Sequence, residues 1–202
     1  MILGITGGIA TGKSVVTQTF RALGAAVVSA DELAREVVRP GSTTLQRLVK
    51  RFGPSILRED GTLNRAALAD LIFSDSQARK DLNGITHPAI AALAEHRLKE
   101  LVQEGKPLIV YEAPLLFEAG AERRVDAVLV VKVDDHVQLQ RLMARDGISE
   151  AEAKARISAQ MSQQEKASRA DYLIDNSNSL GKTVAQVKSL FKRLVNLSEN
   201  DR

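Results

Sequence analysis

Hydrophobic residues follow two rhythms along this chain. Five short runs are apolar at almost every position: 2–6, 25–29, 108–111, 127–133 and 172–174. Continuous apolar runs of this length suit strands covered on both faces. Between them, apolar residues recur every three or four positions, which is the helical rhythm. Helices are predicted over 13–23, 31–38, 43–52, 65–73, 75–83, 88–104, about 135–145 and about 180–197, with Asp134 and Asp135 as caps for the seventh. In 88–104, Ile90, Leu93, Ala94, Leu98, Leu101 and Val102 share one face, Pro88 suits the first turn and Gly105 follows the last. Strands alternating with helices predict an α/β fold, a parallel five-stranded sheet with helices on both faces. The stretch 42–104 has almost no strand signal and reads as a helical insertion. Residues 141–168 form a charged helical segment.

Composition narrows the field. A chain of 202 residues, at roughly 150 per domain, suggests one domain. Its 44% hydrophobic and 26% charged residues exclude wholesale disorder. Lys and Arg total 28 against 25 Asp and Glu, a net charge of +3, too small for bulk attraction to nucleic acid or membrane. Trp is absent and aromatics are 3%, which argues against stacking platforms for single strands. The lack of cysteine excludes disulfides, thiolate metal sites and thiol nucleophiles. No segment approaches the ~20 apolar residues of a membrane span, and the start carries no basic leader. The expectation is a cytoplasmic protein that binds neither nucleic acid nor membrane. Oligomeric state is not readable.

Residues 7–14 read Gly-Gly-Ile-Ala-Thr-Gly-Lys-Ser. Gly7, Gly12, Lys13 and Ser14 match G-x-x-x-x-G-K-[ST], with a predicted strand before and a helix after. Two glycines let the backbone turn tightly and offer N–H groups to phosphate oxygens. The following helix aims its positive end at the same point. Lys13 can reach β- and γ-phosphates and Ser14 can hold Mg2+. The reading is a P-loop NTPase-type fold that binds a nucleoside triphosphate with Mg2+; a plain glycine turn beside a surface lysine is the bland alternative. No N-K-x-D guanine signature occurs, and Asp81-Leu82-Asn83-Gly84 matches D-x-x-G only within helical sequence. The length fits a small kinase best, with the insertion as substrate-binding flap and the charged segment as an arginine-bearing lid. Asp31, just beyond the second strand, can serve as base at the carboxyl edge of the sheet; equally, it can cap the next helix.

Further stretches bring out a resemblance. Gly4-Ile5-Thr6-Gly7-Gly8-Ile9 leading to Gly12-Lys13-Ser14, Ala30-Asp31 with Ala34-Arg35, residues 82–88 ending in His87-Pro88, Pro114-Leu115-Leu116-Phe117-Glu118, Arg141-Leu142-Met143-Ala144-Arg145-Asp146, and Ala170-Asp171-Tyr172-Leu173-Ile174-Asp175-Asn176 occur in order. Over nearly its whole length the chain resembles the dephospho-coenzyme A kinase family. That implies ATP-dependent phosphorylation of the ribose 3′-hydroxyl of dephospho-CoA, with ATP and Mg2+ required. Another small-molecule or nucleotide kinase, and a non-catalytic nucleotide sensor, are the rival readings.

The resemblance also implies roles. Gly7, Gly8, Ile9, Ala10, Thr11, Gly12, Lys13, Ser14 and Val15 would cradle ATP, with Ser14 on the metal and Asn176 on the adenine side. Lys13, Asp31, Arg141 and Arg145 would be catalytic, with Asp31 the base and Arg156 a further lid arginine. Asp31, Arg35, His87, Pro114, Leu115, Leu116 and Glu118 would meet dephospho-CoA. Each has a bland alternative: solvated helix surface for Arg35 and the lid arginines, a helix cap for His87, a turn residue for Asn176. Glu112, at the end of the third strand, can orient the water of Mg2+ or be an ordinary strand-end charge. Expected boundaries are a single domain over 1–202, with core at about 1–40, 105–140 and 168–202, insertion at about 41–104 and lid at about 141–167. Ala10, Ser29 and Val15 depart from the family's frequent Gly, Asp and Thr. Ala10 suits its place if its φ is negative.

Overall fold

The apolar runs do become strands. In a computed structural model describing residues 1–73 and 75–200, with side chains through 196, they are β1 (Ile2–Thr6), β2 (Ala26–Ser29), β3 (Ile109–Glu112), β4 (Ala127–Lys132) and β5 (Tyr172–Asp175). The last two residues of the expected core, Asp201 and Arg202, lie outside the described residues. The five strands form one parallel sheet in the order β2-β3-β1-β4-β5. Register runs from Ile2↔Ile109 to Ile5↔Glu112 on one side of β1, and from Leu3↔Ala127 to Thr6↔Val130 on the other. Residues 3–6, 109–111 and 127–131 are buried without alternation, the mark of a sheet covered on both faces. Parallel pairing brings all five carboxyl ends to one edge. Beyond β1, where the strand order switches direction, ligands gather in folds of this type.

Helix α1 (Lys13–Ala22) and the last helix, α9 (Leu180–Asn200), contribute to the core under this sheet. Phe20, Val187 and Leu194 are buried there with Leu3, Ile5, Leu129 and Ile174. The rings of Phe20 and Phe191 sit 6.3 Å apart. The charged segment folds into the end of α6 (Asp135–Asp146), α7 (Glu150–Ser158) and α8 (Gln163–Ser168). Their starts are locally encoded: Ser149 and Glu152 form a reciprocal capping box, and Ser162 Oγ accepts from Glu165 N at 3.1 Å. Asp134 occupies the cap position of α6, as predicted, without a side-chain cap bond.

Two compact units emerge: Met1–Ser29 with Leu98 onward, and Ala30–Arg97. The second holds α2 (Ala30–Glu36), α3 (Thr43–Phe52), a 3-10 turn over Pro54–Ile56, α4 (Arg65–Phe73) and most of α5 (Ser76–Gln103). Val38, Leu48, Ile56 and Leu68 form its core, with Leu82 and Ile85 packed against them. Among the described residues, no helix is long and apolar enough to cross a membrane.

One expectation is corrected. The helices predicted over 75–83 and 88–104 are a single helix of 28 residues with Pro88 inside it. Proline lacks an N–H and its ring presses on the carbonyl four residues back. That residue is Gly84. Packing carries the helix across the break, for Ala78 and Ala94 are buried on either side. Val102, expected on the apolar face, is 52% exposed. It lies eight residues past Ala94, about 80° further round the helix.

Candidate active site

The turn after β1 packs its main chain closely against β4 and the start of the segment after β5. A β-carbon on Gly7 would collide with Val131 O of β4, and one on Gly12, at φ 85°, with Asn176 Nδ2. Only glycine fits either place. Gly12 then opens α1, whose first turn, Lys13 to Val15, turns the positive end of the helix toward the mouth of the turn; Val15 N donates to Gly12 O at 3.1 Å. Lys13 Nζ donates to Gly7 O and Gly8 O, each at 2.9 Å, so the ammonium sits across the mouth of the turn. Ser14 is exposed in the same first turn.

The turn is held from behind. Thr11 is fully buried, and its Oγ1 donates to Gly8 O at 2.9 Å. Asn176, buried just past β5, donates from Nδ2 to Thr11 O at 2.8 Å and accepts from Thr183 Oγ1 at 2.7 Å. Both amide atoms of Asn176 are thus engaged in fastening the cradle to β5 and α9. Ala10 has φ 60°. The condition set for it, a negative φ, is not met, because the turn needs a left-handed residue there whatever its side chain. Such a conformation costs a non-glycine residue roughly 1–2 kcal/mol.

The arginines of the charged segment divide. Arg141 Nη1 would stand 4.0 Å from a β-carbon on Gly12, at the cradle itself. Arg145 and Arg156 instead converge on Asp146, at 2.7 and 2.8 Å. The Arg145 hydrogen bond, reinforced by Arg156, holds the Asp146 carboxyl below its usual range, and Asp146 raises Arg145 in return. This pair belongs to α6 and α7, with Arg145 and Arg156 about half exposed.

After β3, Pro114 O accepts from Thr6 Oγ1 and from Lys166 Nζ, both at 3.0 Å. Lys166 is fully buried and lies 2.8 and 3.0 Å from the two oxygens of Glu118. Burial raises the Glu118 carboxyl, but hydrogen bonds from Lys166 and from main-chain N–H groups outweigh it, and the net shift is downward. Leu116 is buried while Leu115 is 48% exposed. Glu112 ends β3, in register with Ile5 and Ser29. In the second unit, Asp31 and Arg35 are exposed one turn apart on α2, and His87 is exposed within α5. Neither Asp31 nor His87 is a helix cap: Asp31 lies inside the first turn of α2 and His87 in a helix interior. The D-x-x-G match at Asp81 lies within α5, as expected, and Asp81 is bonded to Arg51 of α3 and to Gln77.

Comparison with known proteins meets this geometry. A family model described as dephospho-CoA kinase matches residues 1–182. The chain is 59% identical to a dephospho-CoA kinase of Syntrophotalea carbinolica, over 96% of this chain and 92% of the relative. The chain belongs to the dephospho-CoA kinase family. Among solved structures, a Thermus thermophilus protein matches with TM-score 0.79 and 36% identity, over 96% of this chain and 97% of the other. A dephospho-CoA kinase from Campylobacter jejuni matches with TM-score 0.69 and 28% identity, over 96% of each chain. Membership in this family sets aside the nucleotide-sensor reading and the other small kinases.

Several members of the site escaped the sequence reading of this family member. Lys166, Gln138, Gln160, Gln163 and Thr183 all act through buried or half-buried polar atoms. Gln138 alone left a trace. It sits one turn before the buried Leu142, on the core face of α6, where an apolar residue is expected.

Proposed function

We propose that this protein transfers the γ-phosphoryl group of ATP to the ribose 3′-hydroxyl of dephospho-CoA, giving CoA and ADP. The observation that carries the reading is the cradle itself: glycines forced by close approach, Lys13 across the mouth and Arg141 at the rim, in a member of this family. ATP displaces the Lys13 ammonium from Gly7 O and Gly8 O, and the ammonium then meets β- and γ-phosphate oxygens. Residues 7–15 supply N–H groups to the triphosphate. Asp31 accepts the 3′-hydroxyl proton while that oxygen attacks the γ-phosphorus and the bond to the leaving ADP oxygen breaks. Arg35, His87, Pro114, Leu115, Leu116 and Glu118 belong to the dephospho-CoA side. Residues 141–167 act as a lid, with Arg141 rather than Arg145 meeting the transferred group, since Arg145 is held by Asp146. Closing that lid excludes water and limits hydrolysis.

Mg2+ fits the donor set. It binds through few protein oxygens and keeps several waters. The described residues contain no cluster of three or more acidic, His or Cys side chains that could form a closed metal cage. Ser14 would hold the ion and Glu112 would orient its water, and the ion would neutralise charge between the β- and γ-phosphates. The reading includes a cytoplasmic location, in keeping with a chain that has no cysteine.

Labelled ATP with Mg2+ and a panel of acceptors tests the proposal. Phosphorylation of dephospho-CoA, with shikimate, gluconate and nucleoside monophosphates left untouched, is expected. Preferred transfer to any other member of the panel would overturn it.

A further inference from the structure

Both main-chain polar groups of the cradle residue Ile9 are held by glutamine side chains that flank or belong to the charged segment. Its N–H donates to Gln160 Oε1 at 2.9 Å, and its carbonyl accepts from Gln138 Nε2 at 2.8 Å. Gln138 lies on α6, three residues before Arg141, and Gln160 in the turn between α7 and α8. The two amides therefore sit at the entry and the exit of the segment that carries Arg141, Arg145 and Arg156.

The orientation of the buried amide follows from main-chain chemistry. Val133 N–H can only donate, so the oxygen of Gln163 faces it, at 3.0 Å. Gln163 Nε2 must then donate, and it reaches Asp135 Oδ1 and Gln138 Oε1, both at 3.0 Å. That leaves Gln138 Nε2 to face Ile9 O. Gln138 is only 2% exposed, where an unmade amide bond is costly. The exit is anchored too. Met161 N, next to Gln160, donates to Glu118 Oε1 at 3.2 Å, and Glu118 is paired with the buried Lys166.

A turn that only had to be rigid is already fastened by Thr11 and Asn176. The glutamines add something else: a shift at either end of the segment must move the Ile9 peptide. We propose that Gln138 and Gln160 are positioning residues that couple the lid to the phosphate cradle through Ile9, so that a filled cradle sets the lid for transfer. This rests on the reading of 141–167 as a lid over ATP.

The test compares transfer to dephospho-CoA with ADP formation in the absence of acceptor. Gln160→Ala removes the half-exposed clamp. Gln138→Met keeps much of the volume but cannot donate to Ile9 O. Loss of coupling lowers kcat for transfer more than it raises KM for ATP. The expected loss is about tenfold or more, within the ~10²-fold that a 1 Å misplacement costs. Transfer then falls relative to hydrolysis by a similar factor. Thermal melts identify a Gln138 variant that fails to fold, and Gln160→Ala then carries the test. Parallel loss of transfer and hydrolysis, or no change in either, overturns the coupling alone. Wild-type protein that leaves dephospho-CoA unmodified overturns the functional reading and the coupling with it.

Discussion

Asp31→Asn is the most selective change available at the site. It keeps size and removes the negative charge, and with it the ability to take a proton. The proposed ATP cradle is built from other residues, so affinity for a fluorescent ATP analogue should stay at the wild-type level. Turnover should fall by about 10²–10⁴-fold, the usual worth of a positioned base. Turnover within a few-fold of wild type would place the base elsewhere. At this scale legibility depends on how tightly the chemistry restricts residue type. Gly7 and Gly12 were readable because the close approach of Val131 O and Asn176 Nδ2 leaves no room for a β-carbon, and the Lys13 ammonium lies across the same turn. The positive φ of Ala10 was not readable, since a methyl group carries no sign of the turn that holds it. Asn176 was readable as a residue of interest, but not as the clasp on Thr11 O that the structure shows.

Elements were legible where packing and periodicity agree. All five strands appear within about two residues of expectation; the three central ones are buried almost throughout and therefore read as apolar runs, while β2 and β5 at the edges are only partly covered, with Leu173 48% exposed. Helix α5 was misread because Pro88 is a strong local signal that tertiary packing overrides. Ties between elements left almost no trace. Lys166 looks like any charge in a charged helix, yet it is fully buried between Pro114 O and Glu118. This asymmetry makes a prediction. Glu118→Ala strands a buried ammonium with one carbonyl as partner, and should cost about 3–5 kcal/mol. Lys166→Met fills the same space and leaves a carboxylate whose side chain is 24% exposed and can turn to water. Its cost should be nearer 1–2 kcal/mol, the worth of the charged hydrogen bonds lost. Urea unfolding monitored by circular dichroism gives both values; equal costs, or the reverse order, would mean that the buried ammonium is not what the pair protects.

Across the whole molecule, charge sets the limits of stability. Carboxyls in both units are held below their ordinary values: Asp60 by Thr62 and Asp81 by Gln77 and Arg51 in one, and Glu118, Asp146, Glu150, Glu152 and Asp175 in the other. A lowered folded-state pKa means that the unfolded chain binds more protons as acid is added. The stabilisation is present above the ordinary values of 3.8 for Asp and 4.5 for Glu, and drains away as pH falls through the lower folded ones. Tyr111 sets the opposite limit. Burial raises its phenol above the ordinary 10.0, against an opposing pull from Arg124, and the residue is 3% exposed. Above pH 10 the unfolded chain loses that proton first, so stability falls as pH rises towards the folded value. Unfolding free energy against pH should therefore drop below about 4.5 and again above about 10. Tyr111→Phe separates the two limbs, because it removes the phenol and leaves every carboxylate bond intact. Its alkaline limb should flatten while the acid limb keeps its position. An alkaline limb unchanged in that variant would show that some other group fails first at high pH.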